Sequence, residues 1–302
     1  MINKTYKSGV YVILSIFILS FSLSLLAIYW AGVWSGKIVI IFFFTTLFSS
    51  SISVAVLGGF YTSFIQHLLH LRRLFRLDNL SNSLLLRLSE EAPGTYHHSI
   101  IVANLASKAA KEIGADSLLC RVGSYFHDIG KLENPHFFIE NHNPYQYDDH
   151  FEIKLNSPEK NAQVIINHVK NGIKIAKEMH LPKEIVNLIA QHHGDSLCSY
   201  FYDIAKKQNP LGVKKADFQY PGPKPQSKEA AILMLADSLE ASARVKEGYS
   251  SIKNLVDNVF SDKMREQQLQ DCGLSEKEIA RLKKSFIASM ESLLHPRIEY
   301  PQ

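Results

Sequence analysis

Two long apolar runs open the chain. Val10 to Ala31 carries no charge and is rich in Ile, Leu, Phe and Val, and Ile38 to Tyr61 repeats the pattern. Each exceeds the about 20 apolar residues that a helix needs to cross a bilayer. The turn between them, Gly32 to Lys37, has Trp30 and Trp34 beside it, and such rings favour the membrane interface. The pattern predicts a hairpin of two spans, at about 10–31 and 38–61. The apolar positions then take up helical spacing. Thr62 to Glu91 reads as one connecting helix, with His67, Leu68, Leu71, Leu74 and Phe75 on one face, ended by Pro93-Gly94. Further helices are predicted over Tyr96–Ile113, Ser117–Phe126, Ser157–Met179, Lys183–Gln191, Lys228–Lys246 and Ser275–Leu294. Asn134-Pro135, the polar stretch Asn141–Asn156 and Pro221-Gly222-Pro223-Lys224-Pro225 mark loops. No run alternates as a strand would. The expected fold class is all-α. The expected division is a transmembrane hairpin over 1–61, a connecting helix over 62–92 and a helical domain over 93–302.

Charge adds an orientation and removes one class of partner. Residues 1–61 contain no Asp or Glu and only Lys4, Lys7 and Lys37 among the bases. Lys4 and Lys7 precede the first span, and Arg72, Arg73 and Arg76 follow the second. The positive-inside rule then places both termini, and the helical domain with them, in the cytoplasm of a multi-pass cell-membrane protein. Membrane lipid is therefore an expected partner. A cleaved signal peptide fits less well, because the apolar run is too long and a second span follows at once. Beyond residue 61, the remaining 30 basic residues nearly balance 29 acidic ones. That balance lacks the dense basic surface that tracks a nucleic-acid backbone, so no long nucleic acid is expected. Cys120, Cys198 and Cys272 are scattered and odd in number, which suggests neither a disulfide framework nor a thiolate metal site.

The candidate chemistry lies in histidines and aspartates. His127-Asp128 is followed by Ile129-Gly130-Lys131. Neighbouring side chains near a helix end diverge by about 100°, so the pair can approach a metal from two directions. Gly130 lets the chain turn sharply there. Upstream lies the doublet His97-His98, and downstream come His168, His192-His193 and Asp237. Several of these interrupt apolar helical stretches, and burying them is costly unless they are paired or bound to metal. Any one such histidine, taken singly, is more often a hydrogen-bonded core residue. The joint pattern reverses that. Imidazoles and carboxylates without thiolates suit Mn or Fe ahead of Mg or Zn. The set is too large for one ion and suits two divalent metal ions sharing a carboxylate. His67, His70, His136, His142, His150, His180 and His295 lack this context. Composition alone does not choose between His97 and His98.

At these residues the sequence resembles the HD superfamily of metal-dependent phosphohydrolases. More closely, it is similar to the seven-transmembrane HD family of cyclic-di-AMP phosphodiesterases, the PgpH type. The shared text comprises Ala92–Ser99 (Ala-Pro-Gly-Thr-Tyr-His-His-Ser), Phe126–Lys131, Asn134-Pro135 with Phe138–Asn141, Ile189–Gly194, and the long stretch Tyr220–Ser238. The resemblance covers roughly 65–295 and the two spans before it. It implies an HD-type helical domain whose metal ligands are His98, His127, Asp128, His168, His192, His193 and Asp237, selecting His98 over His97. It also implies an iron or manganese pair and cleavage of cyclic di-AMP to linear pApA. The sequence departs from the family in having two spans rather than seven, which marks it as a shortened member. The loop Asn141–Asn156 is also longer and more acidic, with Asp148, Asp149 and Glu152.

The expected activity is hydrolysis of a cyclic dinucleotide by a hydrolase of the phosphodiesterase type. Asp128 would bridge and orient, and Lys131, one turn after His127, would steady the non-bridging phosphate oxygens. Asp128 and Lys131 are thus the candidate catalytic residues. Lys224 and Arg244 are further candidates for ligand contact, and Ser227 is the expected N-cap of the helix that carries Asp237. Competing readings are an HD hydrolase of cyclic di-GMP, guanosine tetraphosphate or a mononucleotide, a nucleotide-binding membrane sensor without turnover, and a scaffold with a degenerate HD fold. The full ligand set disfavours the last two. The absence of a Gly-Tyr-Pro segment soon after the metal motifs disfavours the cyclic-di-GMP type.

Overall fold

The structure, a computed structural model, describes residues 15, 17–19, 21–30, 32, 36–142, 157–244 and 251–294. The start of the first expected span, Trp34, the acidic residues of the loop at 143–156, Lys246, His150 and His295 lie outside them. The chain divides into two compact units, Met1–Arg73 and Leu74–Gln302.

In the first unit a short apolar helix, Phe17–Trp30, precedes a long one, α1 (Gly36–Leu77), which continues into the second unit. Phe21 and Phe43 meet edge to face across the two, with ring centroids 5.9 Å apart. Ile40, Ile41, Phe44, Phe48, Ile52, Val56 and Phe60 are all exposed on α1. Among the described residues, one helix is long and apolar enough to cross a membrane, over Phe43–Leu77.

The second unit is all-α. It comprises α2 (Ser83–Glu91), α3 (Pro93–Ile113), α4 (Ser117–Phe126), α5 (Pro158–Glu178), α6 (Lys183–Gln191), α7 (Ser199–Gln208), α8 (Lys228–Arg244), α9 (Ile252–Arg265) and α10 (Glu276–Leu294). Among the described residues the only β pairing is an isolated bridge between Leu197 and Gln219. Helix α8 is the axis of the core. Ala231 to Ala236 are fully buried, and all of them but Met234 cluster with Val102, Leu105, Phe260, Leu282 and Phe286. A second cluster joins Leu74, Leu84, Leu85 and Leu88 to Val122, Phe126, Ile129, Ile185 and Ile189. A third gathers Ile166, Val169, Phe201, Phe218 and Tyr220.

Local chemistry sets the helix ends. Asn82 accepts from Leu84 N, and Asp116 from Leu119 N, as N-caps. Ser227 Oγ accepts from Ala230 N at 3.2 Å at the start of α8, in the expected capping role. Ser275 and Glu278 form a reciprocal capping box at the start of α10. The single helix expected over Thr62–Glu91 is divided at residues 78–82. There the Asn79 side chain accepts from Ser81 N, a local turn that competes with the helix, and Asn82 restarts it. Helix α2 ends at Glu91, just before Pro93 as expected, and Pro93 also stands at the start of α3, where its missing N–H is not needed. Helices α7 and α9 were not expected from the sequence. Helix α7 buries only Phe201 and Ala205 and so shows a weak pattern, whereas α9 carries Ile252, Leu255, Val256, Val259 and Phe260 on one face, a legible stripe that the sequence reading passed over.

Two close approaches bring the site together. A Cβ on Gly130 would lie 1.8 Å from the carbonyl oxygen of His168, so the turn after His127-Asp128 packs directly on the backbone of α5. A Cβ on Gly94 would lie 1.7 Å from the carbonyl oxygen of Glu140, which brings the turn at Ile139–Asn141 against the first turn of α3.

Candidate metal centre

Five helices deliver the polar residues to one place. His98 comes from α3, His127 and Asp128 from the end of α4, His168 from the middle of α5, His192 and His193 from the end of α6, and Asp237 from α8. All are buried except His193, which is partly buried. His97 is exposed and packs on Tyr96, so the geometry brings His98 and not its neighbour to the cluster. His142 and His180 bond to nearby backbone instead, His142 Nε2 to the carbonyl of His136 and His180 Nδ1 to that of Lys177.

Asp128 stands at the centre, and its two oxygens face different neighbours. Oδ1 lies 3.2 Å from His168 Nε2 and 3.7 Å from His192 Nε2. Oδ2 lies 3.3 Å from His127 Nε2 and 3.6 Å from His98 Nε2. Asp237 Oδ1 is 3.0 Å from His98 Nε2, and its Oδ2 is 3.7 Å from His193 Nδ1. Asp128 with His168, His192 and His193 makes one group able to hold a metal ion, and His98, His127 and Asp128 make another.

Three rings are oriented by the same device. The Nδ1 of His127, His168 and His192 lies 2.7, 2.5 and 2.7 Å from the carbonyl oxygens of Ser124, Ile165 and Ile189, each three residues upstream. A carbonyl only accepts, so Nδ1 carries the proton and Nε2 is turned inward. His127 Nε2 and Asp128 Oδ1 are buried with no hydrogen-bond partner. Orphaned polar atoms of this kind are costly unless something binds them. Nitrogen and oxygen donors without a thiolate fit a divalent cation of intermediate hardness.

The electrostatics agree with a site built for positive charge. At Asp128 burial opposes ionisation, but His127 and Lys131 outweigh it and hold the carboxyl well below its usual range. Asp237 is likewise lowered, by His127 and His98 against burial. Burial disfavours a charged His127, yet Asp128 and Asp237 raise it to about 10. His192 goes the other way, to about 3, through burial and the nearby His127 and His168. His193 is lowered by burial and by His192.

The cluster opens on a cavity of about 330 Å³. Lys131 lines it, with Nζ 2.8 Å from Asp128 Oδ2, 2.7 Å from Glu140 Oε1 and 4.9 Å from the centre of the Phe138 ring. Arg244 lines it as well. Lys224 does not: its Nζ lies 3.8 Å from Asp195 Oδ2, away from the cavity wall. Glu140, Glu240 and Tyr220 line the cavity and were missed by sequence reasoning. Tyr220 stacks on His193 with centroids 4.3 Å apart. The legible signal for Glu240 was its spacing, one turn after Asp237 and one turn before Arg244. Glu140 lay within a recognised stretch but carried no pattern of its own.

Comparison with known proteins gives a consistent set of relatives. The model of the HD domain matches residues 95–242. The cyclic-di-AMP phosphodiesterase PgpH of Bacillus subtilis is 40% identical over 260 residues, covering 84% of this chain and 35% of that protein. PgpH of Listeria monocytogenes is 41% identical over 256 residues, covering 83% of this chain and 34% of that protein. The chain thus spans about a third of the length of these relatives. The crystal structure of the L. monocytogenes PgpH HD domain in complex with cyclic-di-AMP matches with a TM-score of 0.65 at 41% identity, covering 72% of this chain and all of that one.

Proposed function

This chain belongs to the HD-domain family, among the relatives of the PgpH phosphodiesterases, and from that premise we propose that it hydrolyses cyclic di-AMP to linear pApA at a dinuclear metal site. The observation that carries this is the division of Asp128. One oxygen faces His168 and His192, the other faces His98 and His127, at the floor of a cavity. His98, His127, Asp128, His168, His192, His193 and Asp237 would hold the pair, manganese or iron by the donor chemistry. Bound there, two cations would supply hydroxide near neutral pH and neutralise phosphoryl charge.

The chain's own residues complete the site. Lys131 presents an ammonium beside Asp128, where it would stabilise charge building on a non-bridging phosphate oxygen. Arg244 presents a guanidinium on the cavity wall, suited to a phosphate oxygen. Phe138, Ile165 and Tyr220 give the same cavity an apolar side fit for a nucleobase. Water attacks one phosphodiester phosphorus, one P–O bond breaks, and the ring opens to the linear dinucleotide.

The apolar stretch within α1 supports a membrane anchor, with the catalytic unit on the cytoplasmic side as the flanking Arg72, Arg73 and Arg76 would set it. A hairpin over 1–61, a connector over 62–92 and a catalytic domain with every ligand over 93–302 remain the proposed division, with the second half of the connector packed into the catalytic core. The test uses the full chain in detergent with Mn²⁺ and cyclic di-AMP, cyclic di-GMP, guanosine tetraphosphate and a mononucleotide in parallel. Conversion of cyclic di-AMP to pApA ahead of the others is expected. Turnover of one of the others in its place, or of none with either manganese or iron, overturns the proposal.

A further inference from the structure

His98 is oriented differently from the other inward-facing rings. Its Nδ1 lies 2.5 Å from Glu240 Oε2, a carboxylate, where His127, His168 and His192 each use a backbone carbonyl. Glu240 sits on α8 one turn after Asp237, and its side chain is only 6% exposed. Its other oxygen is engaged as fully: Oε1 lies 2.7 Å from Arg244 Nε and 2.6 Å from Arg244 Nη2. Both partners belong to the cavity wall. A buried carboxylate is retained at a cost unless all its acceptor positions are used, and here one side chain uses them on two different functional groups. A carboxylate behind an imidazole fixes the ring and raises its basicity toward a metal more than a neutral carbonyl does. Two guanidinium donors converging on one carboxylate oxygen restrict the orientation in which Arg244 meets an anion.

We propose that Glu240 is a positioning residue for the hydrolysis. It holds His98 with Nε2 toward Asp128 and Asp237, and it holds Arg244 against the cavity as a contact for a phosphate oxygen. Metal affinity and substrate affinity thereby depend on one side chain. The inference rests on the metal-site reading above.

The test compares the full chain in detergent with Glu240→Gln, Glu240→Ala and Arg244→Ala. Mn²⁺ affinity is measured by competition with a metal indicator, and folding by circular-dichroism melts. Glu240→Gln should bind Mn²⁺ about 10-fold more weakly and Glu240→Ala about 100-fold, the range that outer-shell partners command. Arg244→Ala should keep its Mn²⁺ affinity and raise KM. At saturating Mn²⁺ the kcat of Glu240→Gln should recover while its KM stays raised, a split that general loosening of the fold does not produce. If Glu240→Ala fails to fold, the near-isosteric Gln variant decides. A folded Glu240 variant that binds Mn²⁺ within about twofold of the parent overturns the inference, since that lies well under the expected range. A parent chain that binds neither Mn²⁺ nor Fe²⁺ sinks the metal-site reading itself, and is told apart by that control.

Discussion

Lys131 Nζ lies 2.8 Å from Asp128 Oδ2, the oxygen that also faces His127 and His98. Glu140 holds the same ammonium from the opposite side at 2.7 Å. The lysine is thus fixed by two carboxylates and is not a solvated residue at a helix end. Burial disfavours its charge, but the two carboxylates outweigh burial and raise its pKa, so it stays cationic at any working pH.

That geometry separates Lys131 from the histidines. An ammonium has no lone pair to give a metal and acts as a point charge. Lys131→Ala should keep its manganese or iron and lose about 100-fold in rate, the lower end for one removed electrostatic donor. His192→Ala should lose metal and rate together, because it empties an inward-facing position. Metal content by mass spectrometry, beside cyclic-di-AMP hydrolysis, checks both. Equal metal loss in the two variants would make Lys131 a structural residue.

Much of this site was legible because its chemistry is local in sequence. His127-Asp128, the doublet at His192-His193 and Asp237 in an apolar stretch each stand out where they occur. Helix boundaries were legible where a cap or proline marks them, as at Ser117, Lys183 and Ser227. What escaped depends on contact across the fold. The sequence places Glu140 and Lys131 nine positions apart with no periodic relation, and their pairing needs the turn at Ile139–Asn141 to fold back on α3. Glu240 reaches His98 across 142 positions. The break at residues 78–82 rests on side-chain bonds of Asn79 and Asn82, in a stretch whose apolar spacing still reads as helix.

Gly130 tests whether the turn must lie on α5. An added methyl would meet the carbonyl oxygen of His168 at 1.8 Å and the backbone nitrogen of Gly172 at 2.4 Å. Backbone cannot swing aside as a side chain can, so the cost should reach the upper part of the overpacking range, about 3 kcal/mol. Gly130→Ala should therefore unfold at lower urea than the parent and bind Mn²⁺ more weakly, because His168 is the residue displaced. An unchanged urea midpoint would show that the two backbones are not in contact.

The three cysteines should be inert in the folded protein. Burial disfavours the thiolate at each of them, raising Cys120 and Cys272 and taking Cys198 from 9.0 to about 11. The thiolate is the nucleophile, so a raised pKa removes reactivity at neutral pH and restores it only as the pH nears that value. At pH 8 the Cys198 thiolate should be about 0.1% of the total. Iodoacetamide at pH 8 should label the native protein slowly and the denatured protein at three sites, read by intact mass. Rapid labelling of any one thiol in the native protein would contradict this.

The last prediction concerns how much of the chain the site needs. Every candidate ligand lies beyond His97, so the apolar hairpin supplies none of them. The folded unit nevertheless begins well before the first ligand. Leu74, Leu84, Leu85 and Leu88 are buried in one cluster with Val122, Phe126 and Ile129, the residues that lead into and out of His127-Asp128. A fragment of residues 65–302 keeps all of them. It should be soluble without detergent, helical, and equal to the full chain in Mn²⁺ affinity and in KM for cyclic di-AMP. A fragment of residues 93–302 discards the four leucines. At about 1.5–3 kcal/mol for each fully buried leucine, it forfeits about 6–12 kcal/mol. That is comparable to the whole stability of an ordinary domain, about 5–15 kcal/mol. The shorter fragment should therefore fail to fold although it contains every ligand. Circular dichroism and Mn²⁺ titration on both fragments decide the matter. A folded, metal-binding 93–302 would show that these four leucines cover the core without holding it.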